Sequence, residues 1–167
     1  MPLSLEGLKD EHNSLVLLQT LPGVDLIGAA MLRVDIGNDM SVFGHADRLA
    51  SWVGICPGNH ESAGKRKSGR TRKGNPYVRR LLCELAHAAS KTRCALQSKF
   101  HALLVRRGRK RAIIGLAHKM LRTIFFMLSR GQHYRDSATD YEALSVKRNA
   151  PRWIKALRQF GFLPAAT

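Results

Sequence analysis

Acidic residues are scarce in this chain, which has 12 Asp and Glu against 28 Lys and Arg in 167 residues. The resulting formal net charge of +16 favours a partner rich in negative charge, and nucleic acid is the first such partner to consider. The few carboxylates are scattered over predicted helices and turns, so no set of them is able to hold Mg²⁺. We therefore predict a nucleic-acid-binding protein that binds no cofactor or metal of its own.

Cysteine is also sparse. The three cysteines are Cys56, Cys83 and Cys94, and no CxxC pair exists. An odd number without pairing motifs excludes a disulfide framework and is typical of a reduced, cytoplasmic protein. Cys56 and His60 have the spacing of metal ligands, but no second pair completes a tetrahedral zinc site.

Long uninterrupted hydrophobic runs are missing as well. The most apolar segment, Ile113 to Leu128, contains His118, Lys119 and Arg122, which argues against a membrane span. The first residues have neither the basic region nor the apolar region of a signal peptide. The sequence thus predicts a cytoplasmic protein without a membrane partner.

A basic segment from Gly54 to Arg80 dominates what is present. Six cations fall within nine residues, interleaved with glycines and hydroxyl residues: Lys65, Arg66, Lys67, Arg70, Arg72 and Lys73. Since no side chain larger than alanine is apolar between Cys56 and Tyr77, the segment cannot form core. Glycines let a backbone approach closely, so we predict a loop that binds a chain of phosphates. Charge runs are also often merely solvated surface.

The loop is predicted to lead into a helix at Asn75-Pro76. Asparagine is a favoured N-cap and proline a favoured first helical residue. The positive end of this helix, with Arg79 in its first turn, would then point at the bound phosphates. Tyr77, Trp52 and His60 are candidates for stacking on an unpaired base.

A second turn, Pro22-Gly23, separates two apolar-periodic runs between Leu15 and Gly37. This pattern fits a helix-hairpin-helix whose backbone amides near Gly23 bind a phosphate, and it fits equally a plain αα-hairpin. The positive charge of the chain favours phosphate binding.

The remaining periodicities predict an all-α fold. The helix-hairpin-helix and the basic loop are followed by two long packed helices, from Pro76 to about Val105 and from Ile113 to Leu128. Two short C-terminal helices are separated at Asn149-Pro151, with Trp153 and Phe160 as docking anchors. We divide the chain into an arm (1–14), a main domain (15–131) and a helical extension (132–167).

Several of these motifs occur together in one known family. They are Leu21-Pro22-Gly23-Val24, Gly54-Ile55-Cys56-Pro57, Ser62-Ala63-Gly64-Lys65, Lys73-Gly74-Asn75 and Val78-Arg79. In their order and spacing, over roughly residues 15 to 131, the chain resembles the C-terminal transposase domain of the insertion-sequence one-ten / one-sixteen / nine-zero-two family, relatives of the Piv invertase.

The resemblance implies DNA transposition by a serine nucleophile, which falls on Ser62. It also implies a RuvC-like domain that holds Mg²⁺, a guide-like RNA, and a homo-oligomeric recombination complex. We expect the RuvC-like domain to be missing from this chain. Asp25 stands where the family often has a second glycine, and its charge opposes phosphate binding at the hairpin.

Two functional classes follow from these expectations. In the first, Ser62 attacks a DNA phosphodiester, activated by the surrounding cations, and Ser68 is the second candidate. In the other, the chain is a non-catalytic DNA- or RNA-binding module, and Ser62 is an ordinary loop serine. The predicted nucleic-acid contacts are Gly23, Lys65, Arg66, Lys67, Arg70, Arg72, Lys73, Asn75 and Arg79.

Overall fold

Seven helices and one short hairpin make up the described chain. The computed structural model describes residues 5–56, 60–62, 65–68, 71 and 73–164, and for residues 5, 6, 60–62 and 65–68 it describes the backbone alone. The helices are α1 (Leu5–Gln19), α2 (Leu26–Ile36), α3 (Ala46–Val53), α4 (Pro76–Ala89), α5 (Ala95–Arg107), α6 (Arg109–Arg130) and α7 (Tyr141–Gln159). A 3₁₀ turn spans Met40–Val42, and strands β1 (His60–Ser62) and β2 (Lys65–Ser68) pair antiparallel.

Helix α6 is the centre of the fold. Its buried face recurs at helical spacing, with Leu116, Met120, Leu121 and Ile124 fully enclosed. It packs against α3, α4 and α5. By length and composition it is the one described helix that could cross a membrane. Its place in the core accounts for that composition, because a core helix is apolar over much of its circumference.

The α1–α2 hairpin is held against α4 by a close backbone approach. Gly23 has φ +87°, and a Cβ built there would lie 2.5 Å from the amide nitrogen of Ala89 and 2.6 Å from the carbonyl oxygen of Leu85. No side chain fits in that space, so glycine is required for both its conformation and its size.

The predicted helix from Pro76 to Val105 is wrong in one respect, because the chain breaks it at residues 90–94. The hydroxyls of Ser90 and Thr92 donate to the carbonyls of His87 and Ala88, a competition with helical hydrogen bonding that serine and threonine offer. The N-terminus of α5 is capped from far away, since the Asp136 carboxylate accepts from the Ala95 amide at 3.0 Å. Apolar periodicity continues through the break and conceals it.

The prediction of two C-terminal helices split at Pro151 is also wrong, because α7 is continuous through that residue. Proline leaves the carbonyl of Lys147 without its helical donor, and Lys147 is exposed, so water can satisfy it. Trp153 and Phe160, predicted to dock, are instead 37% and 74% exposed. The second half of α7 has no buried residue and presents its apolar side chains to solvent.

The all-α prediction is confirmed by these elements, and β1–β2 is a short hairpin within the basic loop that the sequence did not reveal. The division of the chain at residues 14 and 131 stays a prediction.

Candidate nucleic-acid interface

The basic loop starts and ends on one rigid base. Helix α3 is terminated by Gly54 in a left-handed conformation (φ +75°). The returning chain lies against this end, because the Asn75 amide donates to the Trp52 carbonyl at 3.2 Å. A Cβ at Gly74 would lie 2.4 Å from the carbonyl carbon of Val53. The loop is therefore long and polar, but its two ends are fixed side by side.

The returning end is also the start of α4. The Asn75 side chain accepts from the amides of Tyr77 and Val78, at 3.0 and 3.2 Å, and Pro76 occupies the first turn. The predicted N-cap is thus confirmed. Because the cap is a neutral amide, the partial positive charge of the helix end is not cancelled locally. Lys73 and Arg79 lie on either side of the cap, exposed and half-exposed respectively.

Within the loop, backbone pairing brings Ser62 into register with Lys65. The register also pairs Glu61 with Arg66 and His60 with Ser68, with an irregularity between His60 and Glu61. A strand pair of this kind places residues that are two to three positions apart at the same end of a hairpin. The predicted nucleophile and the first cation of the run are therefore backbone neighbours.

The predicted site residues are described to different extents. Arg70 and Arg72 lie outside the described residues. For Ser62, Lys65, Arg66 and Lys67 the backbone positions are described. Lys73, Asn75 and Arg79 are described in full and lie together at the root of the loop. Gly23 lies elsewhere, at the opposite end of α4.

At the hairpin turn containing Gly23, the space for a phosphate at the start of α2 is taken by the protein itself. The Asp25 carboxylate accepts from the Gly28 amide at 2.8 Å. A charged N-cap neutralises the helix end at which an anion would bind. Phosphate binding by the Gly23 turn stays a prediction, and the geometry gives Gly23 a packing role.

Two aromatic side chains flank the loop base. Tyr77 is 75% exposed and Trp52 is 41% exposed. Trp52 also packs on Phe43, with ring centroids 5.6 Å apart, so one part of the indole is supported and the rest is open to a ligand. Exposed rings next to cations are typical of surfaces that bind unpaired bases.

Sequence reasoning missed a polar group under the loop base. Cys56 Sγ lies 3.8 Å from His118 Nε2, and Arg122 forms an ion pair with Asp47 of α3. Burial raises the pKa of the Cys56 thiol. Burial, together with the Arg122 charge, lowers the pKa of His118. The pair is therefore an uncharged thiol and an uncharged imidazole at neutral pH, beside an Arg122–Asp47 ion pair.

The sequence signal for this group is the spacing of His118 and Arg122. The two residues interrupt an apolar helix, and their spacing of four places them on one face. That face meets the end of α3, which sequence alone does not reveal.

Within the described ranges, no group of three or more His, Cys, Asp or Glu side chains is arranged to hold a metal ion. Asp25, Asp39, Asp136 and Asp140 instead cap helix N-termini. These four capping carboxylates are therefore not arranged to hold the Mg²⁺ that the family resemblance assigns to a RuvC-like domain.

Comparison with known proteins matches residues 15–102 to the family described as transposase IS116/IS110/IS902. The matched region contains the end of α1, the Gly23 turn and α2. It also contains the loop base, the basic loop and most of α5. No solved structure matches the chain.

Curated relatives agree with this match. The transposase for insertion sequence element IS1111A from Coxiella burnetii is 33% identical over 72% of this chain and 34% of its own length. A putative transposase, y4pF/y4sB, from Sinorhizobium fredii is 31% identical over 72% of this chain and 32% of its own. A probable family 20 transposase from Pseudomonas aeruginosa is 31% identical over 71% and 36%. The chain spans about a third of the length of these relatives. It belongs to the IS116/IS110/IS902 family of transposases.

Proposed function

We propose that this chain is the DNA-binding and strand-joining part of a transposase, with the basic loop as its DNA contact. The observation that carries the proposal is the root of the loop. There Gly74 and Asn75 fix the C-terminal end of the cationic run, at Lys73, beside the uncancelled positive end of α4. Such an arrangement suits a phosphate backbone, which it contacts without reading bases.

The chemical step we propose uses Ser62. Its oxygen attacks a DNA phosphorus, a bond from Oγ to phosphorus forms, and the bond from phosphorus to one deoxyribose oxygen breaks. The serine proton leaves to solvent, and the departing oxygen takes a proton to become a free hydroxyl. The phosphoserine link keeps the bond energy, so a hydroxyl of another strand can reverse the step and join the DNA. The pairing of Ser62 with Lys65 supports this role, because a cation stabilises the charge that develops on phosphorus oxygens.

The complete reaction requires groups that the described residues do not provide. We propose that a RuvC-like domain supplies the acidic metal site, and that the assembly contains DNA, a guide-like RNA and further copies of this chain. The described carboxylates support that division of labour, since several of them serve as helix caps.

The decisive test is a covalent adduct. The full chain is incubated with element-end DNA, Mg²⁺ and a separately produced RuvC-like domain from a relative, and the products are separated under denaturing conditions. We expect a protein–DNA adduct that Ser62→Ala abolishes and Ser68→Ala retains. Ser68 is the matched control because it is the other strand serine of the same hairpin. An adduct that survives Ser62→Ala would reject Ser62 as nucleophile.

The second candidate function is a non-catalytic nucleic-acid-binding module. The capping roles of Asp25, Asp39, Asp136 and Asp140 favour it, because among the described residues these carboxylates are engaged in helix caps and form no metal-binding group. In that case the wild type forms no adduct in any combination, while binding stays strongly salt-dependent.

A further inference from the structure

A second basic region lies in a groove of about 440 Å³ between α5 and α7. Its rim carries four cations, Lys99, Arg106, Lys147 and Arg148. Ala102, Leu103 and Leu144 form an apolar floor, beside Tyr141 and Ser145. No acidic side chain lines the groove in the described part of the chain.

The two helices of the groove run in the same direction. At their start, the Ser98 hydroxyl donates to Asp140 and accepts from the Glu142 amide, both at 2.9 Å. At the far end, Arg106 and Arg148 line the same groove. Asp140 and Glu142 therefore lie beyond the N-terminal end of the groove, outside its lining, and the two arginines lie at its other end.

The acidic end is already occupied by internal bonds, whereas the basic end is free. Asp136 caps α5, and Asp140 caps α7 through the Ala143 amide. Of the four rim cations, Lys99 lies over the Tyr141 ring at 4.8 Å. Among described residues, the other three form no ion pair. Beyond the groove, Arg152 and Lys155 continue from Arg148 at steps of four and three, exposed on α7.

We propose that the α5–α7 groove binds a single strand of nucleic acid. Phosphates lie against Arg106, Lys147 and Arg148, and sugars and bases lie on the apolar floor. The axes of packed helices are about 8–10 Å apart, so a duplex is too wide to enter between them. Charge complementarity and a partly apolar floor together are what single-strand sites use.

This inference goes beyond the proposed function because the two surfaces are separate. Helix α7 packs on α5, α5 packs on α6, and α6 packs on α3 and α4, where the loop is rooted. The groove and the root of the loop thus share no helix, and α6 connects α5 to α3 and α4. The protein then holds a duplex and a single strand at once.

The chain supplies a reporter near each surface, since its two tryptophans are Trp52 at the loop base and Trp153 on α7. In Trp52→Phe the emission comes from Trp153 alone, five residues beyond Arg148. We expect a short oligodeoxythymidylate or oligouridylate to change this emission, and the comparison of the two shows whether DNA or RNA is preferred.

The variant that tests the groove is Arg106→Glu/Arg148→Glu, and its matched control is Lys91→Glu/Arg93→Glu. Both pairs are exposed and change the net charge equally, but the control pair lies in the α4–α5 turn. We expect the groove variant to weaken oligonucleotide binding about tenfold or more. The slope of log affinity against log salt concentration should become less steep by about 1.4, because each lost phosphate contact of a single strand contributes about 0.7. The control should change binding less than threefold.

Duplex binding separates this inference from the proposed function. The groove variant should leave duplex affinity within threefold of wild type, and neutralising Lys65, Arg66 and Lys67 should reduce it. Equal loss of oligonucleotide binding in groove and control variants would overturn the groove proposal. So would a duplex that displaces the oligonucleotide as well as a single strand does. Circular dichroism melting of every variant confirms that the fold is intact.

Discussion

Two turns of this protein look alike in sequence and differ in what they do. Each places a glycine before a helix start, Gly23 before α2 and Gly74 before α4, and each glycine lies too close to another backbone to carry a side chain. The helix after Gly23 is capped by the carboxylate of Asp25, whereas the helix after Gly74 is capped by the amide of Asn75. The Asp25 carboxylate therefore offsets the positive end of α2, whereas the neutral Asn75 cap leaves the positive end of α4 without a local negative charge.

The largest effect on stability should come from adding a side chain at Gly23, where the hairpin backbone contacts α4. We expect Gly23→Ala to lower the free energy of unfolding by about 3 kcal/mol or more, through backbone strain and a clash with α4. Gly37→Ala is the matched control, because Gly37 has a similar φ (+78°) with nothing within 4 Å. It should cost about 1–2 kcal/mol. Urea unfolding measures both, and equal losses would contradict the packing role of Gly23.

Exchanging the charge of the two N-caps, Asn75 of α4 and Asp25 of α2, should show which helix end contacts DNA. Asn75→Asp keeps the cap but adds a negative charge beside Lys73, so we expect duplex affinity to fall about fivefold to tenfold, with thermal stability nearly unchanged. Asp25→Asn removes a charge at the other helix and should leave duplex affinity within about twofold. Titration at fixed low salt measures the two. A larger effect of Asp25→Asn would show that the hairpin, and not the loop root, carries the phosphate contact.

The smallest effect concerns pH and distinguishes the loop base from the hairpin. His118 lies under the loop base, and burial lowers its pKa. The unfolded chain therefore binds this proton more readily, so stability from His118 is present above its unfolded pKa of about 6.5 and is lost as pH falls below it. We expect His118→Gln to reduce the loss of unfolding free energy between neutral and mildly acidic pH. An unchanged pH profile would show that His118 does not contribute.

Local features of the fold were predictable because local chemistry decides them. Asn75-Pro76 favours a helix start from local chemistry alone, since the cap and the fixed φ of proline act within four residues. The apolar stripe of α6 was equally visible. The break between α4 and α5 was not, because the cap of α5 comes from Asp136, 41 positions along the chain from Ala95. Pro151 wrongly indicates a helix break. Because Lys147 is exposed, water can bind the carbonyl that loses its helical donor, and this lowers the cost of a proline inside α7.

The candidate site shows the same division. The sequence alone indicates the cations, the glycines and Ser62 as candidates, and their roles stay predictions. The root of the loop was not, because it depends on α3 and α4 meeting at Val53 and Gly74. The places of His118 and Arg122 under the loop base were not predicted either, because they depend on α6 packing against the end of α3.

By itself the sequence determined the all-α class, the start of α4 at Asn75-Pro76, the excess of positive charge and the family, because composition, caps and motif spacing are local properties. Tertiary structure alone decided that the loop ends meet, that Gly23 is a packing contact and that α5 and α7 form a basic groove. Those features arise from contacts between residues distant in the chain, and burial of α6 against its neighbours selects them.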